Sequence, residues 1–179
     1  MTLLDKISAE TRNVINTLFD KEPLNYLEAT SMYAIIAQGR HNAALLEILY
    51  NHAHDPDLKR LIKEAIDAQI SLLISQAEDF LEESRGGIPN LRFPKRQLHA
   101  EPLAIPESAR FTDMEIAITI GAMAKASQLA ILTAMHNSYQ LNVLAMYRKL
   151  LDAGLDWDYR LLELMLNRGW LPEIGKITH

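Results

Sequence analysis

Residues 86–111 read GGIPNLRFPKRQLHAEPLAIPESARF, with a glycine pair, four prolines and no helical spacing of apolar side chains. Glycine and proline number only seven each in 179 residues. Their clustering here and at a few boundaries favours long helices over many short strands. The fold therefore turns on what flanks this stretch and on how far it reaches.

Upstream, residues 25–54 place Tyr33, Ile36, Leu45, Leu46 and Leu49 at helical spacing. Asn25 with Glu28 three positions on is a capping-box signature for the start. Asp55-Pro56-Asp57 marks the next boundary: Asp55 as N-cap, Pro56 at the first helical position, Asp57 against the helix dipole. The second helix carries Leu58, Leu61, Ile62, Ala65, Leu72, Leu73 and Phe80 and stops at Gly86-Gly87. Downstream, Thr112 and Glu115 open a third helix with another capping box, running to about His136. Asn137-Ser138 offers a turn and a fresh N-cap, and a fourth helix is expected from Tyr139 to Arg168. Gly169 is its C′ residue, Pro172 follows, and Gly154 inside it should weaken or kink it. A short amphipathic helix over residues 3–19, built on Leu4, Ile7, Val14, Ile15 and Leu18, precedes Lys21-Glu22-Pro23. The expected division is an N-terminal helix at 1–21 and one bundle domain at 22–179.

The first two helices turn within a few residues, as do the last two, so each pair is an antiparallel hairpin. A helix of roughly 30 residues is about 45 Å long, whereas roughly 25 extended residues reach up to ~80 Å. Segment 86–111 can therefore return along the whole bundle, leaving the third helix parallel to the second. The reading is all-α: a ferritin-like antiparallel four-helix bundle with one long crossover and a short extra N-terminal helix. Two helical hairpins on a flexible linker is the rival.

Composition narrows the function. Eighteen basic against 23 acidic residues give a formal net charge of −5, which suits solubility and argues against non-specific nucleic-acid binding. With no cysteine, disulfides, thiolate metal sites and cysteine nucleophiles are excluded. Asp5, Lys6, Glu10 and Arg12 interrupt any signal-peptide apolar run. Met114 to Met135 is apolar or small at most positions, but Lys125 and Gln128 lie in its middle, where a lysine is costly in a bilayer. A buried bundle helix, with no membrane partner, is expected.

The block LEATSMYAIIAQGRHNAALLEILYNHAHDPDLKRLIKEAIDAQ (27–69), the proline-bearing crossover and the ending LLELMLNRGWLPE (161–173) resemble a family of uncharacterised ferritin-like proteins of Bacillus-type bacteria related to spore coat protein F. The resemblance spans roughly residues 22–175. It implies a spore-coat or sporulation-associated role and defines no catalytic residue to carry over.

A ferritin-like di-iron centre needs inward carboxylates, with Glu-x-x-His on two helices. No Glu-x-x-His or Asp-x-x-His occurs. At mid-bundle the core-facing positions read as Gln38, Gln69 and Gln128; amides are weak ligands for iron or manganese but suit a hydrogen-bonded layer that fixes register. His41 beside Glu64 or Asp67 is the only candidate metal group, and a structural histidine there is the more frequent case. His52 and His54 read as C-terminal cap chemistry, with His136 in a turn, His99 in the crossover and His179 at the terminus. Ala122, Ala126, Ala130 and Ala134 form a small-residue ridge, suited to packing inside the bundle or to a homodimer interface. Met114, Met123, Met135, Met146 and Met165 read as core filler. Arg92, Lys95, Arg96 and His99 form a basic cluster that reads as a solvated loop face, and Trp157, Tyr159 and Trp170 as packing for the C-terminal tail. These features favour a non-enzymatic structural protein without cofactor, in the cytoplasm or spore coat, forming a homo-oligomer (most plausibly a dimer) or meeting other coat-type proteins. The alternatives are a metal-binding protein or oxidase with atypical ligands, and a bundle that binds a small apolar molecule.

Overall fold

A computed structural model describes residues 23–101 and 103–171; the N-terminal helix expected at 1–21, Pro172 and His179 lie outside that range. The helical elements are α1 (Tyr26–His52), α2 (Pro56–Glu64), a π-helical stretch (Ala65–Ile70), α3 (Ser71–Glu83), a 3-10 turn (Glu107–Ala109), α4 (Asp113–His136) and α5 (Leu141–Arg168). No strand occurs among the described residues.

The capping chemistry sets the boundaries. Asn25 Oδ1 accepts from the N–H groups of Leu27 and Glu28, while Glu28 returns a carboxylate oxygen to Asn25 N–H at 3.1 Å. Asp55 caps α2 with Pro56 at its first position, Thr112 and Glu115 form the box of α4, and Gly169 ends α5 at φ 66°. A left-handed C-cap of this kind favours glycine because no Cβ meets the carbonyl.

The start of α5 differs from the sequence expectation. Ser138 Oγ donates back to the Ala134 carbonyl at 2.7 Å, closing α4 instead of capping α5. The first N–H groups of the α5 turn are served from across the bundle: Glu28 Oε1 accepts from Tyr139 N–H at 2.7 Å and Gln140 N–H at 2.9 Å. At the opposite end Asp113 accepts from His54 and Asp55 N–H at 2.8 and 3.1 Å. Each carboxylate binds the turn of one hairpin to a helix start in the other, satisfying donors that would be orphaned. These pairings run α1 and α4 antiparallel. Arg160 and Arg168 of α5 meet Glu64 and Asp55 near α2, so α5 runs antiparallel to the second rod, α2–π–α3. Two hairpins joined by a single crossover result, the connectivity ferritin-like bundles use.

The crossover is fastened along α1. Arg40 donates to the carbonyls of Pro89 and Leu91, Glu47 accepts from Arg96 N–H at 2.8 Å, and Asn51 bonds Gln97 and His99. Lys59, 6% exposed, donates to the His99 and Ala100 carbonyls at 2.8 and 3.0 Å and lies over the Tyr50 ring. The basic cluster is thus divided. Arg96 and His99 are held through their backbone, while Arg92 and Lys95 are exposed. These bonds fasten the crossover to α1 and to the start of α2.

The core forms two clusters. One gathers Leu49, Leu58, Ile62, Ile116, Trp157 and Leu161 at one end; the other gathers Met32, Ile36, Leu81, Ile131, Val143 and Tyr147 at the opposite end. Between them lies a waist where several amides meet apolar side chains.

Candidate functional site

The waist begins with the π-helical stretch. Ser71 N–H reaches the Ile66 carbonyl five residues back, and Ser71 Oγ donates to the same oxygen at 2.8 Å. The wider turn carries Gln69 and Ile70. Stretches of this kind cost helix geometry and occur frequently at functional sites. Opposite, Gly39 of α1 lets Ile74 of α3 approach: a Cβ at position 39 would meet Ile74 Cγ1 at 3.1 Å. Next to it the helices leave a cavity of about 100 Å³.

Gln38, Gln69 and Gln128, expected as one central layer, all line this cavity, together with Asn42, Ser127 and Trp157. They do not bond one another as expected. Gln128 Nε2 turns to Asp158 at 2.9 Å, because α5 brings a carboxylate within its reach. The interhelical amide bond is instead Asn42 Nδ2 to Ser127 Oγ at 3.2 Å. Gln38 and Gln69 make no side-chain hydrogen bond among the described residues. Burial pushes the Asp158 carboxyl up, and its Gln128 bond and nearby Lys125 offset this only in part. Trp157 Nε1–H donates to the Leu61 carbonyl at 3.0 Å just before the π stretch, tying the wall of the cavity to α2.

The candidate metal residues are not brought together. His41 is exposed and stacks on Phe93, with ring centroids 5.7 Å apart. Glu64 takes both guanidinium nitrogens of Arg160, one at 2.7 Å, which holds its carboxyl below the usual range. Asp67 pairs with Lys63, its i−4 neighbour. Among the described residues no group of three or more His, Cys, Asp or Glu is placed to hold a metal. His52 and His54 sit at the end of α1 and meet Phe111 and Arg110. The alanine ridge does not share one face: a spacing of four drifts about 40° per step on a 3.6-residue helix. Ala122 and Ala126 are exposed, Ala130 lines the cavity and Ala134 is buried. Trp157, Tyr159 and Trp170 also separate, because Trp157 enters the core while Tyr159 faces solvent.

Sequence reasoning missed Asn42, Ser127 and the π stretch. Asn42 follows Gln38 by four residues, on the same helix face, a signal that was legible. The π stretch has no comparable sequence mark.

A profile of the family described as "Protein of unknown function (DUF3231)" matches residues 12–174. The chain belongs to the DUF3231 family. It is 26% identical over 152 residues to the uncharacterised protein YvdQ of Bacillus subtilis (strain 168), covering 84% of this chain and 86% of that protein. Its fold matches the crystal structure of a putative spore coat protein from Bacillus halodurans C-125 with a TM-score of 0.81 and 28% identity, covering 88% of this chain and 98% of that one. The resemblance drawn from the helix block, the crossover and the tail agrees with the putative spore coat protein as a structural neighbour.

Proposed function

We propose that this DUF3231 chain is a non-enzymatic structural protein of the spore-coat type that assembles as a symmetric homodimer through the seam between α4 and α5. One observation carries the reading. Although α4 is apolar enough to be a core helix, only 22% of its most apolar window is buried. Met114, Ile118, Leu129 and Leu132 of α4 and Leu155, Leu162 and Leu166 of α5 stand exposed, Leu129 by 65% and Leu166 by 62%. Their helical phases place both sets along the α4–α5 groove, where they form an apolar strip divided at mid-seam by Lys125 beside Asp158. Strips of this kind mark interaction surfaces.

A second copy is the occupant that the charges and shapes favour. Gly121 faces Leu161 and Gly154 faces Gln128, which sets Glu163 level with the start of α4 and Arg148 with its end. A two-fold axis through the middle of the seam brings Glu163 of one copy level with Arg148 of the other, where Asp152 also lies, and sets the same apolar side chains against each other, as a two-fold interface requires. The Bacillus halodurans neighbour supports the coat-type role, with a location in the spore coat or the cytoplasm.

Sedimentation equilibrium tests the assembly. A dimer is expected that dissociates in Leu162→Glu without change in helical content, because Leu162 is an exposed residue of the seam. A monomer throughout the micromolar range overturns the reading. So does a monomer whose seam is shielded only when residues 1–22 are present, or one that partitions onto lipid vesicles, since the strip would then have another cover.

A further inference from the structure

We propose that the waist cavity is a binding site for one small neutral molecule with an apolar body and a single hydroxyl or amide head. The site is independent of the dimer seam. Three observations converge on it. The cavity of about 100 Å³ lies between two close-packed clusters, bordered by a π-helical stretch that displaces Gln69 and Ile70 from regular helical positions. Its walls are mainly apolar, from Ile35, Leu46, Leu73, Met123, Ile131 and Leu150. Two half-buried amides, Gln38 and Gln69, line it with no hydrogen-bond partner among the described residues.

The chemistry of the walls selects the ligand. No Lys, Arg, His, Asp or Glu lines the cavity, so an ion entering it would lose hydration without a counter-charge. An amide offers both donor and acceptor, and two amides left unpaired favour a group that supplies both, such as a hydroxyl or a primary amide. Both amides are half-buried, so a bound head group replaces water on them. A dry cavity of ~150 Å³ encloses benzene; this one, about 100 Å³ and open to solvent on one side, holds a single ring only with its polar edge at the mouth.

The experiment uses the full chain with [13C-methyl]methionine, following the Met123 signal against phenol and its isostere toluene. The wild type is expected to bind phenol saturably, one per chain, at least tenfold more tightly than toluene, with the methyl signals of Met32 and Met165 unmoved. Gln38→Leu with Gln69→Leu should remove that preference, since it converts the polar wall to apolar while keeping the volume close. Ala124→Leu should fill the cavity and abolish both; if it fails to fold, the glutamine pair still decides. Absence of a saturable Met123 shift overturns the proposal, as does phenol binding that ignores the glutamine substitutions. A cavity holding only water gives the first of these results.

Discussion

Glu28 is the residue whose removal should cost most for its size. Its side chain is 0% exposed and makes three hydrogen bonds: to Asn25 N–H at 3.1 Å, Tyr139 N–H at 2.7 Å and Gln140 N–H at 2.9 Å. In Glu28→Ala the N–H groups of Tyr139 and Gln140 lose their acceptor in a partly buried turn, at roughly 1–3 kcal/mol each. Adding the buried side-chain atoms, we expect about 4 kcal/mol in total. For a chain of this length that is a fall in Tm of roughly 8–16 °C. Glu28→Gln keeps one oxygen for the α5 turn and sets an amide NH2 against Asn25 N–H, so it should lose only about 1.5 kcal/mol. Differential scanning calorimetry at fixed protein concentration compares the two. A fall below about 3 °C for the alanine variant, or equal falls for both, would refute the assignment of Glu28 as the tie between hairpins.

Gly154→Ala should raise Tm by roughly 1–4 °C, because helix propensity favours alanine by about 1 kcal/mol and the new methyl meets only Gln128 at an ordinary 3.5 Å. Gly39→Ala carries the same propensity gain but meets Ile74 at 3.1 Å, and a Tm below wild type is the expected outcome. Glu64, depressed by Arg160, stabilises the fold above the ordinary glutamate pKa, and that stability is lost as pH falls through its depressed value. Thermal melts from pH 7 to pH 2 should therefore show Glu64→Gln less stable at pH 7 and converging on wild type in acid. Asp158 has the opposite sign: its carboxyl is raised by burial, so ionisation opposes folding above the raised value. Asp158→Asn should melt higher than wild type at pH 7, with the gain gone below the ordinary aspartate pKa; a variant that is less stable at pH 7 would show that the Gln128 bond outweighs burial.

Most of the architecture is legible in the sequence. Asn25, Asp55, Thr112 and Gly169 encode helix ends by short-range chemistry, in which a side chain meets a backbone group two or three residues away. The site was legible only in part. Gln38, Gln69 and Gln128 were readable as inward polar residues because helical phase follows from sequence spacing. Their lack of mutual bonds was not, because Gln128 answers to Asp158, which lies 30 residues away in the chain.

What the sequence determined by itself is therefore local: four rods, their caps, the two tight turns and the reach of the crossover between them. The tertiary structure alone decided which long-range partners meet. Glu28 serving the start of α5, Arg160 withdrawing Glu64 from any metal role, the π stretch opening the waist and the exposed strip along α4 and α5 all depend on how rods are rotated and seated against one another. Helical periodicity sets which side chains share a face, but many rotations of a rod bury a similar apolar area. Packing and long-range hydrogen bonds choose among them.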